Sequence, residues 1–169
     1  MSKDRKLVPK ASTLMGSLRS MGYFFESAVA DVIDNSISSH AQNIRVLFPT
    51  SPMDEIAIGI LDDGDGMSED VLFEAMRYGS FSAEEEREED DLGRFGMGLK
   101  SASLSQCRRL TVVSFDGKYL HGLTWDYNYI LETKDWLVQE LSIAEISSLP
   151  YVEKFKAQLK GTMVIWQDF

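Results

Sequence analysis

Two polar side chains that could act together stand four residues apart in the segment 23–39, where apolar residues recur at helical intervals. Asp31 and Asn35 therefore project from one side of the predicted helix. A carboxylate and an amide placed in this way can flank a metal ion or a water molecule. The same pattern is typical of the solvated side of an amphipathic helix, so the pair alone leaves both interpretations open.

A second candidate site follows a predicted strand and reads LDDGDGM at 61–67. Asp62 at the strand end can accept a hydrogen bond, and Gly64 and Gly66 allow a flat ligand or another backbone to come close. The spacing does not match an EF-hand calcium loop, which needs Gly at its sixth position and Glu at its twelfth. An ordinary turn is the other interpretation.

The third candidate is the glycine-rich segment GRFGMGLKS at 93–101. It is not a phosphate-binding P-loop, because Leu99 separates Gly98 from Lys100. It is not a dinucleotide fingerprint either, since Ser101 stands where the third glycine belongs. The pattern predicts a loop that leads into a helix N-terminus and suits an anionic oxygen, or else a flexible hinge.

The elements that must position these segments are short. The apolar stripe Phe25, Val29, Ile33 and Ile37 is expected to turn the helix at 23–39 towards the core. Further helices are predicted at 68–77 and 99–106, with weaker helical spacing after Pro9 and a helical region at 143–159 that Pro150 breaks. Strands are predicted at 43–48, 55–61, 110–115, 119–129, 136–141 and 161–169, with a hairpin turn at Asp116-Gly117. Thr162 at the start of the last strand is ordinary β-propensity when taken alone.

The composition favours one globular domain. The chain has 169 residues, of which 44% are apolar and 26% charged, as in soluble proteins with a packed core. The single cysteine, Cys107, cannot form an internal disulfide, and no apolar run is long enough for a signal peptide or a membrane span. We therefore expect a cytoplasmic protein with no membrane association.

The formal net charge of −10 is concentrated in one place. Residues 84–91 read EEEREEDD and contribute −6. This acidity disfavours DNA as a direct ligand, so nucleic acid could be bound only through other regions.

Taken together and in this order, the segments resemble the conserved boxes of the GHKL ATPase superfamily, which includes gyrase B, a heat-shock chaperone, histidine kinases and MutL. ADVIDNSISSHA at 30–41 is similar to the asparagine box, LDDGDGM to the first glycine box, GRFGMGLKSAS to the second, and GTMVIW at 161–166 to the last. The resemblance covers about 26–166, and the wording is closest to the MutL and MORC branches.

The resemblance implies an α+β two-layer sandwich of the Bergerat type, with a mixed, mainly antiparallel sheet and helices on one face. ATP would lie between the helices and a lid. The chain would be a single ATP-binding domain over 1–169, with an N-terminal arm at 1–20 and the lid at 79–98. We expect it to be the N-terminal part of a longer protein.

The resemblance also implies how the adenine base is bound. Asp62 would accept a hydrogen bond from the adenine amino group, and Thr162 with ordered water would complete the recognition. Gly64 and Gly66 would let the base approach, and Met67 would pack against it.

The phosphates and the metal would be held by other boxes. Asn35 would hold Mg²⁺, and Lys100 would either bind phosphate or project into solvent. The backbone that would wrap the phosphates belongs to Gly93, Arg94, Phe95, Gly96, Met97 and Gly98. Asp31 stands where the superfamily places the general base that activates water.

Two departures from the superfamily pattern bear on the chemistry. The base is generally Glu, and Asp31 is one methylene shorter, so its carboxylate would miss the water by about 1 Å, which can cost around 10²-fold in rate. Turnover is therefore expected to be slow. Where many relatives carry an Asp linked to the adenine water network, Ser38 offers only a hydroxyl.

The implied function is Mg²⁺-ATP binding with slow hydrolysis, coupled to lid ordering and to nucleotide-dependent homodimerisation. A transducer-like domain downstream of this chain would supply a lysine to the γ-phosphate. One alternative is a nucleotide-binding switch that does not hydrolyse ATP, which Asp31 favours. A histidine-kinase catalytic domain is a second alternative, although no His precedes the asparagine box.

Overall fold

A six-stranded sheet organises the described residues, 9–20, 22–77 and 98–169, of the computed structural model. Its strands in chain order are β1 (Ile44–Leu47), β2 (Ala57–Asp62), β3 (Arg109–Phe115), β4 (Leu120–Asp126), β5 (Gln139–Glu140) and β6 (Gly161–Gln167). In space the order is β1-β2-β6-β3-β4-β5, and every pair is antiparallel. The predicted α+β fold is confirmed, and its sheet is antiparallel throughout the described strands.

The helices of the described ranges are α1 (Ala11–Arg19), α2 (Phe25–Ser38), α3 (Glu69–Met76), α4 (Gly98–Gln106), α5 (Tyr127–Thr133), α6 (Ile143–Ser147) and α7 (Val152–Lys156). Helix α3 begins where the sequence predicts, because the side chain of Ser68 accepts a hydrogen bond from the amide of Val71. Pro150 separates α6 from α7, as predicted. No helix in the described ranges is long and apolar enough to cross a membrane.

The sheet is covered on both faces. The larger core joins Ile60, Val112 and Trp166 to the five helices α1 to α5. On the other face, Leu61 and Met163 pack against the short helices α6 and α7. All seven residues of β6 are buried, and a strand buried on both faces needs a cover on each. The second helical layer therefore adds to the predicted single layer.

The predicted core stripe of α2 is confirmed only in part, because Val29 packs against the larger core but other residues of the stripe are exposed; the helix itself is confirmed. The buried residues are Ala28, Val32 and Ser36, whereas Phe25 is 37% exposed and Ile37 is 50% exposed. Ala28 and Ser36 have small side chains, so the helix can approach the sheet closely. The hydroxyl of Ser36 therefore reaches the carboxylate of Asp62 on β2. The helix is thereby rotated towards the side that carries Asp31 and Asn35.

The predicted strand at 119–129 is too long. It ends at Asp126, whose carboxylate accepts hydrogen bonds from the amides of Asn128 and Tyr129 and so caps α5. Arg109 holds the other oxygen of the same carboxylate at 2.9 Å. The predicted strand at 136–141 is reduced to the two residues of β5.

Residues 11–19 of the segment predicted as an N-terminal arm form helix α1, which packs on α4. Met15 is fully buried in the larger core. At the end of α1, the guanidinium of Arg19 donates to the carbonyl oxygens of Leu104, at 2.9 Å, and of Cys107. A cation thus caps the C-terminal end of α4, where the helix dipole is negative.

Candidate functional site

The carboxylate of Asp62 is the buried polar centre of the site. It ends β2, is only 4% exposed, and lies on the face of the sheet that α2 covers. One oxygen, Oδ1, accepts from the amides of Gly64 at 3.0 Å and Thr162 at 3.1 Å. The other, Oδ2, accepts from the hydroxyl of Ser36 at 2.8 Å. Burial raises the pKa of this carboxyl group, and the three donors oppose that rise.

An ionised carboxylate offers about four acceptor positions, and three are filled here from within the protein. From the described residues, Oδ1 accepts two hydrogen bonds and Oδ2 accepts one. The remaining position on Oδ2 can accept an N–H group of a ligand. The carboxylate is thus held rigidly while keeping one directed acceptor.

A second polar network adjoins Asp62 on the same sheet face. Thr162 is the cross-strand partner of both Asp62 and Ser114. The fully buried hydroxyl of Ser114 accepts from the amide of Met67 at 2.8 Å and lies 3.1 Å from the hydroxyl of Thr162. This network anchors the loop after Asp62, and Met67 packs on the larger core.

The glycines of this region are required by the protein's own backbone. Gly66 has a positive φ of 71°, and a Cβ there would stand 2.1 Å from the carbonyl oxygen of Phe115. A Cβ at Gly64 would meet the carbonyl oxygen of Ser39 at 2.6 Å. Any role of these glycines in admitting a base is additional to their part in packing the loop.

The second row of predicted residues runs along α2. Asp31, Asn35 and Ser38 are spaced so that they share one side of the helix, next to the buried side that carries Ser36. Asp31 accepts at Oδ2 from the phenol of Tyr23 over 2.6 Å. The hydroxyl of Ser38 is buried and finds no hydrogen-bond partner among the described residues.

Asn35 has the chemistry that a magnesium ligand needs. Its amide nitrogen donates to the backbone carbonyl oxygen of Asp31 at 2.8 Å, which fixes the orientation of the side chain. The amide oxygen, which accepts nothing from the described residues, is then the atom that can bind a hard cation. In the described ranges, no group of three or more His, Cys, Asp or Glu side chains could hold a metal ion. As a single oxygen ligand, Asn35 fits the usual coordination of Mg²⁺, which keeps several waters and takes other ligands from phosphates.

Lys100 is buried on α4, with 1% of its surface exposed. Its ammonium donates to the carbonyl oxygen of Arg77, just beyond α3. Desolvation lowers the pKa of this ammonium to about 8, against the charge of Glu74, which raises it. Gly98 begins α4, while the other predicted phosphate-binding residues, Gly93, Arg94, Phe95, Gly96 and Met97, lie outside the described residues, as does most of the predicted lid.

The other acidic residues near Asp62 have different partners. Asp63 accepts from the amides of Gln42 and Asn43, which fastens the turn between α2 and β1. Asp65 pairs with His40 at 2.7 Å and with Lys160 at 2.6 Å on the surface. Both carboxyl groups have a lowered pKa, because hydrogen-bond donors stabilise the charged form.

Three residues of the site were missed from the sequence. Ser36 follows Asn35 directly and is spaced at four-residue intervals from Val32 and Ala28 on the same side of α2. That spacing could have predicted a buried polar residue at this position. Ser114 and Tyr23 carry no local signal. The contact of Ser114 depends on the pairing of β3 with β6, and that of Tyr23 on how the chain enters α2.

The antiparallel sheet, with α2 and α4 packed together on one face, is the α+β fold expected of a GHKL-type ATPase. The family model described as histidine kinase-, DNA gyrase B-, and HSP90-like ATPase matches residues 23–162. The chain belongs to this family, whose general activity is ATP binding and hydrolysis. A search of the curated proteins gave no match.

Proposed function

We propose that this domain binds Mg²⁺-ATP and hydrolyses it slowly, as a conformational switch within a larger assembly. In this proposal the segment 79–98 orders over the phosphates, and the ordered state forms a homodimer. We also propose that the chain belongs to the MutL and MORC branches of the superfamily. This assignment rests on the residues of the second glycine box.

The observation that carries the proposal is the state of Asp62. Its carboxylate is buried and held by three donors, and the described residues leave one acceptor position on Oδ2. The exocyclic amino group of adenine can donate there. Guanine presents a carbonyl oxygen at that position, which would face a carboxylate without a proton between them. The site therefore favours ATP over GTP.

The α2 row supports the roles at the phosphate end. The amide oxygen of Asn35 is fixed by the bond from its nitrogen to Asp31, so it can hold Mg²⁺ against the phosphate oxygens. Such an ion neutralises phosphate charge. Asp31 lies one helical turn earlier, and its Oδ1, which accepts no hydrogen bond from the described residues, can accept a proton from water.

A specific observation favours a second candidate, a switch that binds ATP without hydrolysing it. Asp31 is shorter than the usual Glu, and Oδ2 is engaged by Tyr23. A carboxylate that is both short and restrained could stand too far from the water that attacks phosphate. The two candidates make the same prediction for binding and differ only in hydrolysis.

Single-turnover hydrolysis in the full-length protein separates the candidates. We compare the wild type with Asp31→Asn, which removes the base, and with Asp31→Glu, which restores the longer side chain. The proposal expects a loss of at least about 10²-fold for Asp31→Asn and a faster rate for Asp31→Glu. Equal rates for the wild type and Asp31→Asn would show that Asp31 is not the base, and a wild type that binds ATP without turnover would favour the second candidate.

A further inference from the structure

The phenol of Tyr23 makes a contact that the proposed reaction does not yet use. Tyr23 lies in the short segment before α2 and reaches over two turns of that helix to Asp31. Its hydroxyl donates to Oδ2 of Asp31 at 2.6 Å, the short distance typical of a hydrogen bond to a charged acceptor. The pKa of the phenol is raised, first by this hydrogen bond and then by burial and the charge of Asp31.

Tyr23 is itself held in place by the helix that follows the second glycine box. The side-chain amide of Gln106, the last residue of α4, donates to the backbone carbonyl oxygen of Tyr23 at 2.9 Å. The preceding Gly22 has a positive φ of 69°, which turns the chain so that the ring of Tyr23 can face α2. Tyr23 therefore connects the C-terminal end of α4 to the carboxylate of Asp31.

We propose that Tyr23 is a positioning residue for ATP hydrolysis, which orients the Asp31 carboxylate so that Oδ1 faces the attacking water. This inference rests on the proposed function, because it assigns Tyr23 a role only if Asp31 is the base. Tyr23 acts through Asp31 and transfers no proton to or from the nucleotide.

The hydrogen bond from the phenol restricts the rotation of the Asp31 side chain. Asp31 is one methylene shorter than the usual Glu, so its carboxylate reaches the water only in a narrow range of orientations. Displacement of a reacting group by about 1 Å can cost around 10²-fold in rate. Removal of the phenol should therefore slow the reaction.

The test uses Tyr23→Phe, which removes one oxygen atom and keeps the ring. Tyr119→Phe is the matched control, because Tyr119 is 54% exposed and its hydroxyl makes no hydrogen bond with the described residues. We expect Tyr23→Phe to lower the single-turnover rate in the full-length protein about 10-fold to 10²-fold. The Kd for ATP, measured by calorimetry, should stay within about twofold of the wild type, and Tyr119→Phe should change neither quantity.

A double-mutant cycle with Asp31→Asn excludes a merely structural role. If Tyr23 acts through Asp31, adding Tyr23→Phe to Asp31→Asn should slow hydrolysis no further. The positioning role would be overturned if the two losses in rate multiply, or if Tyr23→Phe hydrolyses ATP as fast as the wild type or faster. The proposed function would still stand in either case, provided that Asp31→Asn alone is impaired. An unimpaired Asp31→Asn enzyme would overturn both.

A second variant covers the case in which Tyr23→Phe fails to fold. Gln106→Met removes the donor to the Tyr23 backbone and keeps a side chain of similar length. A slower single turnover with unchanged ATP affinity is expected, smaller in size than the effect of Tyr23→Phe. A wild-type rate in this variant would contradict the connection from α4 to Asp31.

Discussion

Asp62 and Thr162 lie directly opposite each other in the antiparallel pair β2 and β6, and the amide of Thr162 donates to the Asp62 carboxylate at 3.1 Å. The two residues are 100 positions apart in the sequence. The pairing places two of the predicted adenine-binding residues side by side on the face that α2 covers, together with Ser114 on the next strand. The register of a single strand pair thus determines the geometry of the site.

Replacement of Asp62 by Asn tests the adenine assignment. The substitution keeps the shape of the side chain but sets an amide group where adenine must donate. Adenine would lose a hydrogen bond to a charged acceptor, and its amino group would face another donor. ATP binding should therefore weaken at least about 10²-fold, measured by calorimetry. Asp63→Asn is the matched control, since Asp63 fastens the turn at Gln42 and Asn43. Unchanged affinity in Asp62→Asn would overturn the assignment.

Alanine at Gly66 should destabilise the protein strongly. The residue has a left-handed backbone, and the new methyl group would collide with the carbonyl oxygen of Phe115. We expect a loss of about 2–5 kcal/mol in the free energy of unfolding, measured with denaturant. Gly22 has a similar φ, but an added Cβ there would meet no atom within 4 Å. Gly22→Ala should therefore lower the free energy of unfolding by only about 1–2 kcal/mol. Equal costs in the two variants would contradict the close approach at Gly66.

The pH dependence of ATP binding tests whether the charge of Lys100 serves the phosphates. The pKa of Lys100 is lowered to about 8, so its positive charge is present below that pH and lost above it. If the ammonium attracts the triphosphate, the affinity for ATP should fall above about pH 8 by up to about tenfold per pH unit. Lys100→Met should remove this dependence, whereas Lys118→Met, at an exposed position, should retain it. A flat profile in the wild type would contradict a role of the Lys100 charge in binding the phosphates.

The burial of Met15 predicts that α1 belongs to the core of the domain. Met15→Ala should lower the free energy of unfolding by about 2–5 kcal/mol, because it leaves a cavity between α1 and the rest of the larger core. Thr13→Ala, on the exposed side of the same helix, should change it by no more than about 0.5 kcal/mol. A small effect at Met15 would mean that α1 can detach at little cost.

Local signals account for what the sequence predicted well. Most helix and strand positions follow from periodicity, and the start of α3 follows from the capping residue Ser68. The end of β4 had such a signal too, since Asp126 precedes a helix-compatible run, but the alternation of the strand concealed it. Asp62 was identified because its neighbours Gly64 and Gly66 form a recognisable pattern.

Non-local packing accounts for what the sequence did not predict. The rotation of α2 depends on how closely Ala28 and Ser36 let the helix approach β2, which no pattern of apolar residues encodes. The partners of Ser114 depend on strand register, and the contact of Tyr23 depends on the path of the chain before α2. These residues act on the candidate site through neighbours that are distant in sequence.

The position of β6 has a consequence for how the protein comes into being on the ribosome. Among the described strands, β6 comes last in chain order and lies in the middle of the sheet, between β2 and β3. Until it emerges, the other described strands can form a hairpin of β1 and β2 and a separate group of β3 to β5, which no other described strand joins. The edges of β2 and β3 that later pair with β6 are then open, and unpaired edges attract other chains. We therefore expect the nascent protein to be most exposed to aggregation just before β6 is synthesised.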